Sequence, residues 1–366
     1  MPVRIGFAGT GGIAASHLIN LVRIPEAEVV ALYDIDRERC DAAMRRINGQ
    51  QDQAAWLSEA RAAQAGQGRS ADTTKARPGG PEPRKLKAKV YTDYRAMLAE
   101  AGLHAVYVCV PPFAHGDLEL EAIDAGLHLF VEKPVALSMD AARQIAKAIQ
   151  QKNLVSSSGY QQRYAESTDR AKELIDKKPV GMAMGFYLGG LPGTPWWRVQ
   201  AQSGGQLVEQ ATHTVDLMRY LVGDVTRVYS AGATRLMKET PNFDIFDVAA
   251  TTLHFANGAI GILANTSALG GGSASGAPNG VHLILQDQRL EVWGGSLRVF
   301  TGQKAEEHRF SGSPMMIEDQ AFVEAVGRKD PSRVRCSYAD AARTLAITLA
   351  AEQSARTGKP VDVPAL

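Results

Sequence analysis

A glycine-rich turn near the start of the chain lies between an apolar segment and a helical pattern. The apolar segment 3–9 reads VRIGFAG, and the turn continues as Gly9-Thr10-Gly11-Gly12-Ile13-Ala14. In this G-x-G-x-x-A spacing the first glycine permits a tight turn, the second lets a pyrophosphate approach, and the alanine leaves room for helix–strand packing. A helix that begins here also points its N-terminal amides at an anion. The pattern predicts a βαβ unit that binds a dinucleotide.

An acidic residue ends the next apolar segment. This segment, 29–34, reads VVALYD and ends at Asp34, about 20 residues beyond the glycine turn. A carboxylate at this position accepts hydrogen bonds from the adenosine ribose and repels a 2′-phosphate. The turn and Asp34 together predict NAD as the cofactor, with NADP disfavoured, although the nearby Arg37 weakens that preference. The alternative role for Asp34 is that of a turn or helix-cap residue.

Strand-like and helical segments alternate through the first 160 residues. Further buried strands are predicted at 105–110, 127–132 and 154–160, with helices at 13–23, 115–125 and 139–151. Such alternation predicts a parallel sheet covered on both faces. The fold class is therefore α/β, with an N-terminal Rossmann dinucleotide-binding domain over 1–160. Because 366 residues exceed what one compact core usually holds, a second domain is expected.

The character of the sequence changes after Tyr164. Strand-like stretches separated by Asn-Gly and glycine-rich turns predict an open, largely antiparallel sheet, with a helix at 212–221. We therefore expect a C-terminal α+β domain over 161–337. A final amphipathic helix at 338–357 is expected to pack back on the first domain.

Residues 50–89 interrupt the alternation of the first domain. They begin with some helical character and then become rich in Gly, Pro, Lys and Arg, without apolar periodicity. A connection this long within a compact domain is unusual. A solvated surface loop is the favoured interpretation of this insertion, and a functional flap near the adenine end of the cofactor is the alternative.

Composition and charge argue against several classes of protein. The net charge of +1 gives no general affinity for nucleic acid or an anionic membrane. The apolar runs stay below the ~18 residues needed to span a bilayer, and the N-terminus does not follow the pattern of a signal peptide. The widely spaced Cys40, Cys109 and Cys336 suit neither a disulfide framework nor a zinc site. We expect a cytoplasmic protein with no metal, whose partner is a small molecule.

Several motifs beyond the glycine turn resemble those of one family of enzymes. They are Val110–His115 at the end of a strand, Glu132-Lys133-Pro134 after the next strand, Gly159–Tyr164, Gly204–Glu209 followed by His213 and Asp216, and the final SARTGKPVDV. With these motifs the chain resembles the glucose–fructose oxidoreductase/inositol dehydrogenase (Gfo/Idh/MocA) family over nearly its whole length, the insertion excepted.

The resemblance implies where a cofactor and a substrate would bind. The open-sheet domain would bind substrate, the active site would lie in the cleft between the domains, and homodimers or homotetramers would form through the exposed sheet. Besides the glycine turn, Asp34 and Arg37, the positions implied for the cofactor are Val110, Pro111, Pro112, His115, Glu132, Lys133, Gln161, Trp197 and Arg198. For Trp197 and Arg198, packing at a sheet edge is nearly as well supported.

The catalytic residues implied by the resemblance are Lys133, His213 and Glu209. Oxidation of a secondary alcohol requires a base for the hydroxyl proton, and a lysine serves if its surroundings lower its pKa. Glu209 and His213 are four residues apart, so on one helical turn they face the same way, and a carboxylate beside an imidazole raises its basicity. The family more commonly has aspartate where Glu209 stands, so Glu209 either binds substrate hydroxyls or orients His213. Asp216 is either a polar site residue or a residue of the helix surface.

Three functions follow as alternatives. The favoured one is an NAD(P)-dependent oxidoreductase that acts on a CH–OH group of a sugar, sugar derivative or cyclitol. The second is a glycoside hydrolase or epimerase that retains NAD and works through a transient keto-sugar. The third is a non-catalytic dinucleotide-binding regulator, against which the presence of both Lys133 and His213 argues.

Overall fold

The computed structural model describes residues 1–49, 83–176, 178–270 and 277–366. The strands are β1 (Val3–Ala8), β2 (Ala27–Tyr33), β3 (Lys89–Tyr91), β4 (Ala105–Val108), β5 (His128–Val131), β6 (Ser156–Ser158), β7 (Met182–Leu188), β8 (Val225–Ala233), β9 (Val248–Phe255), β10 (Ile260–Thr266), β11 (Gly280–Ile284), β12 (Arg289–Trp293), β13 (Ser296–Thr301), β14 (Lys304–Arg309) and β15 (Val361–Asp362). The α-helices are α1 (Gly12–Leu21), α2 (Arg37–Asn48), α3 (Tyr94–Glu100), α4 (Asp117–Asp124), α5 (Met139–Gln151), α6 (Glu166–Ile175), α7 (Gln200–Ser203), α8 (Gln206–Glu209), α9 (Thr212–Val222), α10 (Pro314–Arg328) and α11 (Tyr338–Thr357). Short 3₁₀ turns lie at Pro112–Ala114, Gln161–Tyr164, Pro195–Arg198 and Pro331–Arg333.

The described residues divide into two compact units. The first comprises residues 1–49, 83–161 and 315–342, and the second comprises the described parts of 162–314 together with 343–366. Across the described ranges, none of the helices combines the length and the apolar character that a membrane span requires.

The first unit is built on a parallel sheet in the order β3-β2-β1-β4-β5-β6, counted over the described residues. The central strands β1, β2, β4 and β5 are short and largely apolar because both faces of the sheet are covered. All of β4 is buried, and so is every residue of β1 except the half-buried Arg4. The predicted Rossmann fold is therefore confirmed. The strand order reverses between β1 and β4, so the ends of these two strands flank the crevice in which such sheets bind ligands.

The core of the first unit includes a helix that the sequence analysis does not predict. Phe322, Val323 and Val326 of α10 are buried in one cluster with Phe7 and Leu18. The buried side of α10 also carries two acidic residues. Because buried carboxylates break the usual apolar stripe, the sequence pattern there does not indicate an amphipathic helix.

The second unit is a mixed sheet in the order β14-β13-β12-β11-β7-β10-β9-β8-β15, again over the described residues. β7 and β10 pair in parallel and the other neighbours pair antiparallel, which confirms the predicted open, largely antiparallel sheet. Along β7, buried Ala183 and Tyr187 alternate with side chains on the other face. The buried face packs against α6 and α9, and the other face carries the exposed side chains of Met182, Tyr229 and Ile262.

The terminal helix α11 has the predicted bounds, Tyr338–Thr357. Its first turn belongs to the first unit, where the Tyr338 hydroxyl donates to the Val135 carbonyl at 3.0 Å. From Arg343 onward the helix belongs to the second unit, and Ile347 and Ala350 are buried in that unit's core.

The two outermost strands of the second sheet are unlike its central strands. β14 reads KAEEHR, and nearly all of its residues are exposed. At the other end, β15 has only two residues, Val361 and Asp362, paired with β8. One edge of the sheet is therefore charged and the other is very short.

The flanks of the predicted insertion are fixed, whereas its residues 50–82 lie outside the described part of the chain. The Asn48 side-chain oxygen accepts a hydrogen bond from the Leu86 N–H at 2.8 Å, and its side-chain amide donates to the Leu86 carbonyl at 3.0 Å. The Arg84 guanidinium donates to the carbonyls of Ile24 and Ala27, at 2.5 and 2.6 Å. Since β2 begins at Ala27, both flanks lie at the amino edge of the sheet, opposite the glycine turn.

Candidate functional site

The glycine turn lies at the carboxyl edge of the first sheet, as predicted. Gly9 has a φ of +86°, and a Cβ there would lie 2.5 Å from the Cys109 carbonyl oxygen, so only glycine suits this position. α1 begins at Gly12, with no side chain capping it, and both Gly11 and Gly12 are exposed. Its first N–H groups thus open to solvent. This arrangement fits the pyrophosphate of a dinucleotide.

Asp34 is brought against this turn and is 5% exposed. Its Oδ2 accepts hydrogen bonds from the Thr10 backbone N–H at 3.0 Å and from the Thr10 hydroxyl at 3.1 Å, and its Oδ1 accepts from the Asp36 N–H at 3.1 Å. The turn role considered for Asp34 is therefore present. Because a carboxylate oxygen can accept two hydrogen bonds, Oδ1 keeps the capacity for a contact to the ribose. Arg37 begins α2, and its exposed side chain lies 3.7 Å from Asp41.

The loop after β4 holds a buried histidine at the same edge. Val110 and Pro111 are half-buried in this loop, and Pro112 begins its 3₁₀ turn. The ring of His115 is 1% exposed, and its Nδ1 lies 2.5 Å from the Glu119 carboxylate. His115 Nε2 has no hydrogen-bond partner in the described residues, which suits a contact to a bound ligand.

The Glu132-Lys133 pair follows β5 at the same edge. The Lys133 backbone N–H donates to Glu132 Oε2 at 3.0 Å, so the carboxylate turns back over the chain. Gly159, directly after β6, packs so closely on that carboxylate that a Cβ there would overlap it. Gln161 begins the next 3₁₀ turn and is half-buried. The first unit thus gathers the glycine turn, Asp34 and the Glu132-Lys133 pair along one edge.

Glu132 is held by a buried histidine, His17, that was not predicted from the sequence. His17 of α1 is fully buried, and its two ring nitrogens contact Glu132 and Asp319. A signal for it exists in the sequence, because His17 lies on the apolar side of α1, four residues before Leu21. Asp319 gives no such signal, since it is 302 residues away from His17 in the chain.

Glu209 and His213 lie in the second unit, but not on one helical turn as expected. Glu209 ends α8, and His213 stands in the first turn of α9. Between them the helix is broken, since the Ala211 N–H donates to the Gln206 carbonyl and the His213 N–H donates to the Gln210 carbonyl. The i,i+4 geometry that motivated the pairing is therefore wrong in its detail. Both side chains are buried, His213 being 8% exposed.

Polar side chains from the sheet lie near this segment. Burial, with the negative charge of Glu209 adding to it, raises the pKa of Tyr187 on β7 well above its usual value, so Tyr187 stays a neutral donor. The Asn265 side chain of β10 donates to Gln206 at 2.5 Å. Neither Tyr187 nor Asn265 was predicted, because the alternation of a strand does not show which buried polar residue faces a helix.

Asp216 is neither on the helix surface nor in an open site. It is fully buried. Its carboxylate accepts hydrogen bonds from Nε and Nη2 of Arg163, at 2.8 and 2.6 Å, and from the Thr344 hydroxyl, at 2.8 Å. Removal of one partner from such a buried pair typically costs ~3–5 kcal/mol. Asp216 therefore fixes α9, the helix that carries His213.

Trp197 and Arg198 lie on the 3₁₀ turn Pro195–Arg198 of the second unit. The rings of Trp196 and Trp197 stack with centroids 4.7 Å apart. The Arg198 carbonyl accepts the Asp244 N–H at 3.1 Å, which ties this turn to the loop before β9. Their assignment to the cofactor stays a prediction. Within the described ranges, no cluster of three or more His, Cys, Asp or Glu side chains is arranged to hold a metal ion.

Comparison with known proteins agrees with this architecture. The chain is similar to an uncharacterised oxidoreductase, YrbE, of Bacillus subtilis, with 24% identity over 380 residues that cover 98% of this chain and 96% of the relative. It is also similar to scyllo-inositol 2-dehydrogenase (NAD⁺) of the same organism, with 26% identity over 292 residues, 74% of this chain and 81% of the relative. Among solved structures, levoglucosan dehydrogenase in complex with NADH and levoglucosan superposes with a TM-score of 0.79 and 19% identity over 100% of both chains, which shows a shared fold.

Family profiles cover most of the sequence. Residues 3–160 match the GFO/IDH/MocA oxidoreductase family with an NAD-binding Rossmann fold. Residues 168–298 match the GFO/IDH/MocA C-terminal domain. The exposed N-terminus of α1 and the carboxylate of Asp34 fit NAD. Because the two family models together match most of the sequence, the chain belongs to the Gfo/Idh/MocA family of NAD-binding oxidoreductases.

Proposed function

We propose that this oxidoreductase oxidises a secondary hydroxyl of a polyhydroxylated substrate: a sugar, a sugar derivative or a cyclitol. The observation that carries the proposal is the position of Lys133 at the carboxyl edge of the NAD-binding sheet, with its backbone N–H bonded to Glu132. The substrate class rests on the names of relatives, which include inositol dehydrogenases and levoglucosan dehydrogenase.

Lys133 is the proposed base. Bound NAD supplies the acceptor for the hydride that leaves the carbinol carbon. Lys133 Nζ takes the hydroxyl proton, a step that requires the neutral amine.

His213 and Glu209 are proposed to act on the same substrate from the second unit. His213 accepts the proton of a substrate hydroxyl or holds that hydroxyl by a hydrogen bond. Glu209 accepts hydrogen bonds from substrate hydroxyls or orients the imidazole. The Arg163–Asp216 pair supports this assignment, because it fixes the helix on which His213 stands.

NAD is the proposed cofactor in preference to NADP, because the Asp34 carboxylate lies against the glycine turn. Besides that turn, the residues proposed to contact NAD are Asp34, Arg37, Val110, Pro111, Pro112, His115, Glu132, Lys133, Gln161, Trp197 and Arg198. His115 has the most direct support, since its buried Nε2 lacks a partner within the described ranges.

Association of copies through the second sheet is also proposed. The strand register puts Tyr229, Thr252, Ile262, Met184 and His282 in one row across β8, β9, β10, β7 and β11. This row lies on the face opposite the buried core, and Tyr229 and Ile262 are 45% and 39% exposed. Exposed apolar side chains in a contiguous row are typical of an interface.

The experiment that tests the function is spectrophotometric NADH formation with a panel of aldoses, aminosugars, anhydrosugars and inositols. Lys133→Met keeps the length of the side chain and removes its amine. It should lower kcat by about 100-fold or more and leave the Kd of NAD nearly unchanged. Lys147→Met, on the surface of α5, is the matched control and should behave as the wild type.

Each outcome distinguishes one of the three functions. NADH formation with one substrate group supports the dehydrogenase and names its class. Solvent deuterium entering a sugar without net NADH would instead support the hydrolase or epimerase that retains NAD. Binding of NAD with neither result would support the regulator. Full activity of Lys133→Met would remove Lys133 from the mechanism.

A further inference from the structure

A buried histidine connects two carboxylates beneath the candidate base. His17 Nδ1 lies 2.7 Å from Asp319 Oδ1, and Nε2 lies 3.0 Å from Glu132 Oε1. Asp319 is held in turn by Asn20, which donates to its Oδ2 at 2.7 Å, and by the Tyr107 hydroxyl, which donates to its Oδ1 at 3.2 Å. All of these residues belong to the first unit.

Both ring nitrogens of His17 face carboxylate oxygens, so both must donate. Only the imidazolium has two N–H donors. Burial by itself lowers the pKa of His17, but Asp319, and after it Glu132, outweigh burial and raise that pKa to about 10. Tyr107 packs 5.3 Å from the imidazole, and burial together with Asp319 keeps its pKa well above the usual value, so Tyr107 stays neutral. His17 therefore carries a positive charge at neutral pH.

Glu132 is clamped by this arrangement from three sides. Oε1 accepts from His17, Oε2 accepts the Lys133 backbone N–H, and Gly159 packs directly on the carboxyl group. The carboxylate cannot rotate without losing one of its two hydrogen bonds. The chain from Asp319 through His17 and Glu132 thus ends on the backbone of Lys133.

We propose that His17 is a positioning residue for the reaction: through its hydrogen bond to Glu132 it fixes the backbone of Lys133. This inference rests on the proposed function in which Lys133 is the base. Fixed placement matters because a displacement of about 1 Å costs about 100-fold in rate.

Two substitutions at His17 test whether its hydrogen bond to Glu132 positions Lys133. His17→Asn retains a donor for Asp319 and loses the bond to Glu132, whereas His17→Gln has the reach to keep the bond to Glu132. We expect kcat to fall about 100-fold in His17→Asn and less in His17→Gln. The Kd of NAD should stay within about threefold of the wild type.

The matched control is Asn20→Ala, which weakens the same buried network without touching Glu132. A purely structural role of His17 predicts that all three variants lose activity only in proportion to lost folded protein, with the same kcat per folded molecule in His17→Asn and His17→Gln. That result would overturn the proposal. If Lys133→Met kept full activity, the proposed function would fail first. If Lys133→Met were inactive and both His17 variants behaved as the wild type, only the role of His17 would fail.

The protonation state of His17 can also be measured in the wild-type protein. NMR of protein labelled in its histidine rings reports the protonation of His17 directly. We expect an imidazolium throughout the neutral range and deprotonation only near the raised pKa of about 10. A neutral ring at neutral pH would overturn the proposal even if the variants failed to fold.

Discussion

Asp34 combines a structural contact and a candidate cofactor contact in one carboxylate. Its Oδ2 holds both the backbone and the hydroxyl of Thr10, which is part of the glycine turn. An aspartate that only bound ribose would tolerate replacement without change to the turn. Here the shape of the turn depends on the same group whose charge is proposed to repel a 2′-phosphate, so a test must separate the two roles.

Asp34→Asn separates them, because the amide oxygen still accepts from Thr10 while the charge is gone. The ratio of kcat/KM for NAD to that for NADP should fall by about tenfold or more, chiefly through better use of NADP. Steady-state kinetics with both cofactors measures this ratio. Asp36→Asn is the control, since Asp36 is the N-cap of α2 and asparagine caps equally well. An unchanged ratio in Asp34→Asn would contradict the role of Asp34 in cofactor choice.

Residue-level chemistry was predictable from the sequence only where partners are near in the chain or belong to a motif. The glycine turn and Asp34 form such a motif, and the structure brings them together. His17 and Asp319 do not, because their pairing depends on how α10 packs against α1. The break between Glu209 and His213 was also beyond the pattern, since four-residue spacing assumes a continuous helix.

At the scale of elements, five of the six strands described in the first unit were predicted, and β3 was not. Short apolar runs between helices have few alternatives when both faces of a sheet are covered. Helix α10 was missed because its buried side includes the acidic Glu318 and Asp319. For the second unit, an open, largely antiparallel sheet was predicted, but not the order of its strands. That order follows from contacts between distant hairpins, which local sequence patterns do not contain.

The flanks of the insertion allow a test of its role at this scale. Asn48 and Leu86 are directly hydrogen-bonded, so replacement of 50–82 by a short Gly-Ser linker should leave both ends in place. We expect the free energy of unfolding to change by less than about 1 kcal/mol. The Kd of NAD, measured by fluorescence quenching, should not change, because both flanks lie at the edge opposite the glycine turn.

Arg84→Ala is compared with that deletion, because it changes a flank of the insertion that is expected to stabilise the fold. It removes the donor to the carbonyls of Ile24 and Ala27 and should lower the free energy of unfolding by about 2 kcal/mol. Denaturant titration measures both variants. A deletion that weakened NAD binding at least tenfold would show that the insertion acts on the cofactor after all.

At the scale of the whole molecule, the exposed face of the second sheet leads to a prediction about assembly. Ile262→Glu puts a charge in the middle of the row that contains Tyr229 and Met184. Light scattering after size exclusion should give a multiple of 39.3 kDa for the wild type and a single-chain mass for Ile262→Glu. Lys304→Glu on β14 is the control and should keep the wild-type mass. A wild type of single-chain mass at micromolar concentration would contradict the interface.

The two ends of the second sheet limit how many copies can join. A long, flat, apolar edge would recruit further chains strand by strand and grow without end, as in a fibril. Here one margin is the charged β14 and the other is the two-residue β15, so neither offers a template for another strand. Neither edge therefore supports growth in the plane of the sheet. In the proposed association the exposed face of one copy is covered by the exposed face of another, which favours a closed complex over an aggregate.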